Sequence, residues 1–137
     1  MKAIIMLAAF VGASAPATQF DLTCKGTLTA ISLVSGKTTE PYERRLRVDL
    51  TRKKYCEDQC KALFEIADVG PTQITFQDKD SGPGREREMT KSYVNRETGE
   101  HRSLSSSEGF GGGLTMSWVG ACEKRPFSGF PSFETKF

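Results

Sequence analysis

The sequence is sparing with the residues that most chemistry uses. In 137 residues there is one histidine, His101, one tryptophan, Trp118, and one asparagine, Asn95. Asn95 is followed by Arg96 and Glu97, so the chain has no N-glycosylation acceptor. It has neither an H-E-x-x-H pair nor a G-x-S-x-G elbow. His101 stands between Glu100 and Arg102 and is expected at the surface, at a turn exit. Ser105, Ser106 and Ser107 come after it on the same strand, where they cannot form a nucleophile–base pair with it. The carboxylates Asp78, Asp80, Glu86 and Glu88 fall in a charged loop that would not hold two of them at glycosidase separation. Gly109 and Gly111 to Gly113 lead into an alternating strand, so a phosphate cradle lacks its helix N-terminus. No catalytic residue, metal site or cofactor is expected, and the chain reads as a non-enzyme.

An excess of one charge is also missing. The 19 Lys and Arg residues face 17 Asp and Glu, for a net charge of +2. Nucleic-acid binding draws on a concentrated basic face. Here Arg44, Arg45, Arg47 and Arg52 to Lys54 are answered by Glu40, Glu43, Asp49, Glu57 and Asp58. The clusters read as a solvated strand face or a small anion-binding patch. Apolar residues are scarce too. From Thr18 onward Leu, Ile, Val and Phe number 24 of 120 residues, at the edge of what folds without help. The near-neutral balance argues against disorder, leaving a lean core with covalent staples.

The one long apolar run is at the start. Lys2, the stretch Ala3 to Val11 and Ala15-Pro16-Ala17 have the layout of a secretory signal peptide, residues 1–17, cleaved before Thr18. Nine apolar residues are too few to span a bilayer. Asp21-Leu22-Thr23 before Cys24 has the wrong register for a lipobox. The expected location is periplasmic or secreted, with no membrane span after cleavage.

Beyond the leader the chain reads as strands. Phe20, Leu22, Cys24 and Leu28 share one phase, as do Leu46, Val48 and Leu50, then Ile74 and Phe76, and Leu114, Met116, Trp118 and Cys122. Ser35-Gly36-Lys37 and Pro41 mark a loop. Glu97-Thr98-Gly99 marks a hairpin turn into a polar strand around His101 to Ser107, expected at a sheet edge. Between Met89 and Arg96 the inward residue is either Tyr93 or Val94. No segment carries a 3.6-residue apolar repeat. The fold class is all-β: a small antiparallel barrel or sandwich of about seven short strands over residues 18–125. An outer-membrane barrel is disfavoured because the strands are short and their second face is charged.

Four cysteines in an exported chain imply two disulfides. Cys24 and Cys122 both lie in core-facing phase, and Cys56 and Cys60 flank a tight turn. The expected bridges are therefore Cys24–Cys122 and Cys56–Cys60, the first setting the first and last strands side by side. A zinc site or a thioredoxin-like redox pair would want C-x-x-C spacing, which is absent. Residues 126–137 form a Phe- and Pro-rich tail whose Pro126 and Pro131 exclude a long helix. It is expected to pack on the domain, plugging an open end or a seam. Candidate binding residues are Trp118 at the barrel mouth, Phe127, Phe130 and Phe133 in the tail, and Arg45 and Arg47.

The segments Phe20 to Gly26, Arg47 to Leu50, Tyr55-Cys56 with Cys60, and Gly120 to Glu123 with Pro126 to Pro131 resemble a group of small uncharacterised exported bacterial proteins. The likeness spans most of the chain after the leader and implies export. In size, export and barrel reading alone, the chain is also similar to the periplasmic lysozyme inhibitors. That analogy implies a stapled barrel that blocks a hydrolase cleft with a loop. The functional expectation is a non-catalytic exported binding or envelope-associated domain for a protein or a small apolar ligand. The alternatives are an inhibitor of a secreted hydrolase, acting through Asp78–Arg87 or Glu108–Gly113, and a small enzyme whose site includes a buried His101 or carboxylate.

Overall fold

The computed structural model describes residues 17–82, 87–108 and 113–133. The leader expected over residues 1–17 lies, apart from Ala17, outside the described residues, as do parts of the two candidate inhibitory loops. The described chain forms one antiparallel sheet of nine strands: β1 (Gln19–Ser32), β2 (Gly36–Asp49), β3 (Lys54–Glu57), β4 (Phe64–Glu65), β5 (Asp68–Val69), β6 (Gln73–Asp80), β7 (Glu88–Asn95), β8 (Glu100–Ser107) and β9 (Leu114–Arg125). The spatial order is β4, β3, β2, β1, β9, β8, β7, β6, β5. Among the described residues no helix is long and apolar enough to cross a membrane.

The sheet curls into a half-barrel. Its two outermost strands, β4 and β5, are consecutive in sequence, so the chain steps from one sheet edge to the other within a few residues. The Ile66 N–H donates to Lys53 O at 2.9 Å on one side, and the Ala67 N–H donates to Phe76 O at 3.3 Å on the other. The edges therefore converge at one end, the base. There the inward residues Phe20, Leu22, Leu46, Val48, Tyr55, Ile66, Ile74, Phe76 and Val94 form the core. The Tyr55 and Phe76 rings meet across the junction with centroids 4.9 Å apart. Away from the base the sheet stays open. From Gly36 to Arg44, β2 pairs only with β1, and the far half of β6 pairs only with β7.

Both expected disulfides are present, Cys24–Cys122 as the strand phases implied and Cys56–Cys60 across the tight turn. Cys24 and Cys122 are register partners of β1 and β9, so the first and last long strands do lie together. Buried Asp49 locks the β2–β3 turn, accepting from the Arg52 N–H at 3.0 Å and from Gln19 Nε2 at 2.9 Å. Burial alone would raise its carboxyl pKa, but these hydrogen bonds and the Arg52 charge hold it below the ordinary value.

Several expectations change. Nine strands replace about seven, because two-residue β4 and β5 make the edge crossing. β1 and β2 are long, at 14 residues each. Pro41 sits inside β2 rather than in a loop, which the sheet tolerates because that stretch is an edge. β8 is central, between β7 and β9. Backbone ladders satisfy a strand on both sides whatever its side chains, and the inward residues of β8 face a polar part of the concavity. Val94, not Tyr93, points inward, opposite His101.

Candidate functional site

Above the core, the concave face becomes polar. Register places Tyr42, Gly26, Gly120 and His101 in one row across β2, β1, β9 and β8. The two glycines leave that row without side chains in its middle, and the outer two residues meet over the gap. Tyr42 Oη lies 2.7 Å from His101 Nδ1. A methyl group on Gly120 would come within 2.7 Å of that same hydroxyl and would collide with Lys25 O, while one on Gly26 would strike Val119 O. The next inward row holds Ser103, Trp118, Leu28 and Glu40. Arg44, opposite Cys24, sits with its guanidinium 5.2 Å from the Trp118 ring centroid, a cation–π distance. Ser92 and Ser103, register partners on β7 and β8, are both buried on this face.

His101 is fully buried, not at the surface. Burial, with the positive charge of Arg44 adding to it, pushes its pKa down to about 4. The ring is therefore neutral near pH 7. We assign the tautomer with a bare Nδ1, which accepts the Tyr42 hydroxyl hydrogen bond. Burial raises the Tyr42 pKa, partly offset by Arg44, so the phenol remains a donor. His101 Nε2 and Tyr55 Oη are buried without a hydrogen-bond partner among the described residues. Burial pushes the Tyr55 hydroxyl up to about 12, a rise softened by nearby Gln77. Arg44 forms no ion pair among the described residues. Among the described residues the face thus offers the Arg44 guanidinium, the Glu40 carboxylate, an exposed part of an indole and a set of hydroxyls. That inventory suits hydrogen bonding and ionic contact. No group of three or more His, Cys, Asp or Glu among the described residues is placed to hold a metal ion.

The structure separates the sequence-derived candidates. Trp118 alone lies on the concave face. Phe127, Phe130 and Arg47 lie together on the convex side, near the base. There Arg47 Nη1 donates to Gly129 O at 2.9 Å, and the Ser128 N–H donates to Asp21 Oδ1 at 3.2 Å. Asp21 and Arg47 are themselves register partners, so one charged pair grips two successive tail residues. Phe127 and Phe130 stack edge to face at 5.2 Å, with Arg52 5.7 Å from the Phe130 centroid. Gly129 has φ +86°, a conformation that favours glycine. These contacts lie against the outside of β1 and β2 rather than in an open end. Phe133 stays exposed. Arg45 is exposed as well, and its backbone, not its side chain, makes contact: its N–H donates to Asp58 Oδ1 at 3.1 Å.

A cavity of about 170 Å³ opens at the base, lined by Phe20, Leu22, Ile74, Val94 and Cys122 among others. Small-molecule sites usually measure roughly 300–1,000 Å³. Apart from Trp118, the concave site escaped sequence reasoning because its members come from β1, β2, β7, β8 and β9, and only their register unites them. The available signal was the pair of glycines in the inward phase of the two strands joined by a disulfide. Comparison with protein-family models, with curated proteins and with solved structures gave no match for this chain.

Proposed function

We propose that this chain is an exported, non-catalytic binding domain of the cell envelope that grips an extended polar segment in the open side of its half-barrel. Two disulfides in the fold are consistent with an oxidising compartment, and the layout of residues 1–17 supports export. The observation that carries the reading is the change from an apolar to a polar interior, with Arg44, which has no ion-pair partner among the described residues, over Trp118 at the change. A protein with no binding role would gain stability by filling that space with apolar side chains. The base cavity is too small for most apolar ligands, which favours contact along the concave face.

The sole tryptophan makes the test direct. Envelope extract is passed over the immobilised protein and over Arg44→Ala and Trp118→Ala variants. Arg44 and Trp118 are both only partly buried, so each variant should fold. The reading expects specific capture by the native chain, weakened at least tenfold in both variants. The same captured set from all three proteins would reject it.

The inhibitor reading draws on the β6–β7 loop. Its base is braced by Arg87, whose Nη2 and Nε reach the Asp80 carboxylate at 2.7 and 3.1 Å. That fork pulls the Asp80 pKa down to about 2, helped by the Gly82 N–H. A braced base suits a loop that inserts into a cleft. Assay against a panel of lysozymes and proteases at micromolar protein would support it by inhibition that Arg87→Ala relieves, and no inhibition would discard it.

A further inference from the structure

The end of the half-barrel opposite the base carries its most exposed apolar residues. Leu33 is 84% and Val34 82% exposed at the tip of the β1–β2 hairpin, and Ile31 is 49% exposed just below. Leu114, 41% exposed, stands beside them as the register partner of Ser32. The turn is a formed one, since Ser32 Oγ accepts from the Val34 N–H at 3.2 Å and from the Ser35 N–H at 3.4 Å. Such a turn holds the two side chains outward instead of letting them fold back. The tip projects roughly 30 Å along β1 from the Cys24–Cys122 bridge, so nothing in the core can cover it.

Charge at the tip has one sign. From Ile31 to Thr39 the only charged residue is Lys37. Among the described residues the acids at the same end, Asp80, Glu88 and Glu108, close β6, open β7 and follow β8, all beyond β9 in the sheet order. Shape selects among occupants. A stable protein interface covers about 800 Å² on each partner, which a convex point of four side chains does not supply. A bilayer surface needs no complementary shape. It accepts apolar side chains at the acyl boundary and attracts a lysine to the phosphates of anionic headgroups. We propose that the β1–β2 tip is a membrane contact, with Leu33 and Val34 dipping into an anionic lipid surface and Lys37 at its phosphates. This surface is separate from the concave face, and either reading can fail without the other.

The experiment is flotation of the disulfide-intact protein with vesicles of phosphatidylethanolamine and phosphatidylglycerol, for the native chain and for Leu33→Asp, Val34→Asp and Lys37→Glu. All three positions are exposed, and unchanged melting temperatures would show that the fold is kept. The native chain is expected to float with the vesicles. Either aspartate should weaken binding at least tenfold, and the lysine reversal, which removes one attraction and adds one repulsion, roughly thirtyfold. No flotation of the native chain, or equal flotation of the aspartate variants, would overturn the proposal. So would a result in which the aspartates abolish self-association or capture of a protein partner while vesicles are ignored, because the tip would then be a protein contact.

Discussion

Gly26 and Gly120 matter for what they leave out. Their empty positions let a β2 tyrosine and a β8 histidine join across two intervening strands. Replacing Gly120 with alanine would drive a methyl group against Lys25 O and the Tyr42 hydroxyl. We expect Gly120→Ala to cost about 1–3 kcal/mol, read as a lower urea midpoint, with an unchanged midpoint counting against the clasp. Burial of His101, with the Arg44 charge beside it, sets a pH dependence. The His101 pKa is about 4 in the fold and about 6.5 in an unfolded chain. Between those values the unfolded chain takes up a proton that the native state refuses, so stability declines as pH falls through the window and levels off below it. The expected loss is about 3 kcal/mol. Asp49, with its lowered pKa, keeps its contribution until pH falls below the ordinary carboxylate range, so the two effects separate. Urea midpoints that stay flat from about pH 6.5 to about pH 4 would contradict a buried neutral imidazole.

Among the elements, the tail differs most from its expected place. It runs on from β9 along the convex side of β1 and β2, where Asp21 and Arg47 hold its backbone and Phe127 and Phe130 are half-buried. Deleting residues 126–137 should lower stability by about 2–4 kcal/mol. It should leave Trp118 emission unchanged, because the indole lies on the other face of the sheet. A shifted emission would place the tail in the concavity after all.

The strands show how far sequence reaches. Alternation in β1 and β9 is a local property, so the phases of Cys24 and Cys122 could be read and their bridge inferred. β8 could not be placed, since its polarity reflects what it faces and not whether it is paired. His101 looked exposed for the same reason: its charged neighbours Glu100 and Arg102 point outward, while its burial comes from Gly120 on the neighbouring strand and from Tyr42 beyond two strands. Leu33 and Val34 were legible only as two apolar letters before a Ser-Gly turn.

At the scale of the whole molecule, a short chain with a small core builds one stiff end and one open end. The Cys24–Cys122 bridge spans 98 residues of sequence and joins the two strands at the centre of the sheet. On the chain-entropy model its removal costs about 4–5 kcal/mol, and loss of the Cys56–Cys60 bridge about 2. Cys24→Ser with Cys122→Ser should therefore lower the urea midpoint more than the paired change at Cys56 and Cys60. The polar concavity between the free stretches of β2 and β6 depends on that stiff end to keep its shape. Peptide mapping under non-reducing conditions, on protein recovered from the cells that make it, tests the account most directly. It should find a chain beginning at Thr18 with Cys24 joined to Cys122 and Cys56 joined to Cys60. Free thiols, or Cys24 joined to Cys56 or Cys60, would contradict it.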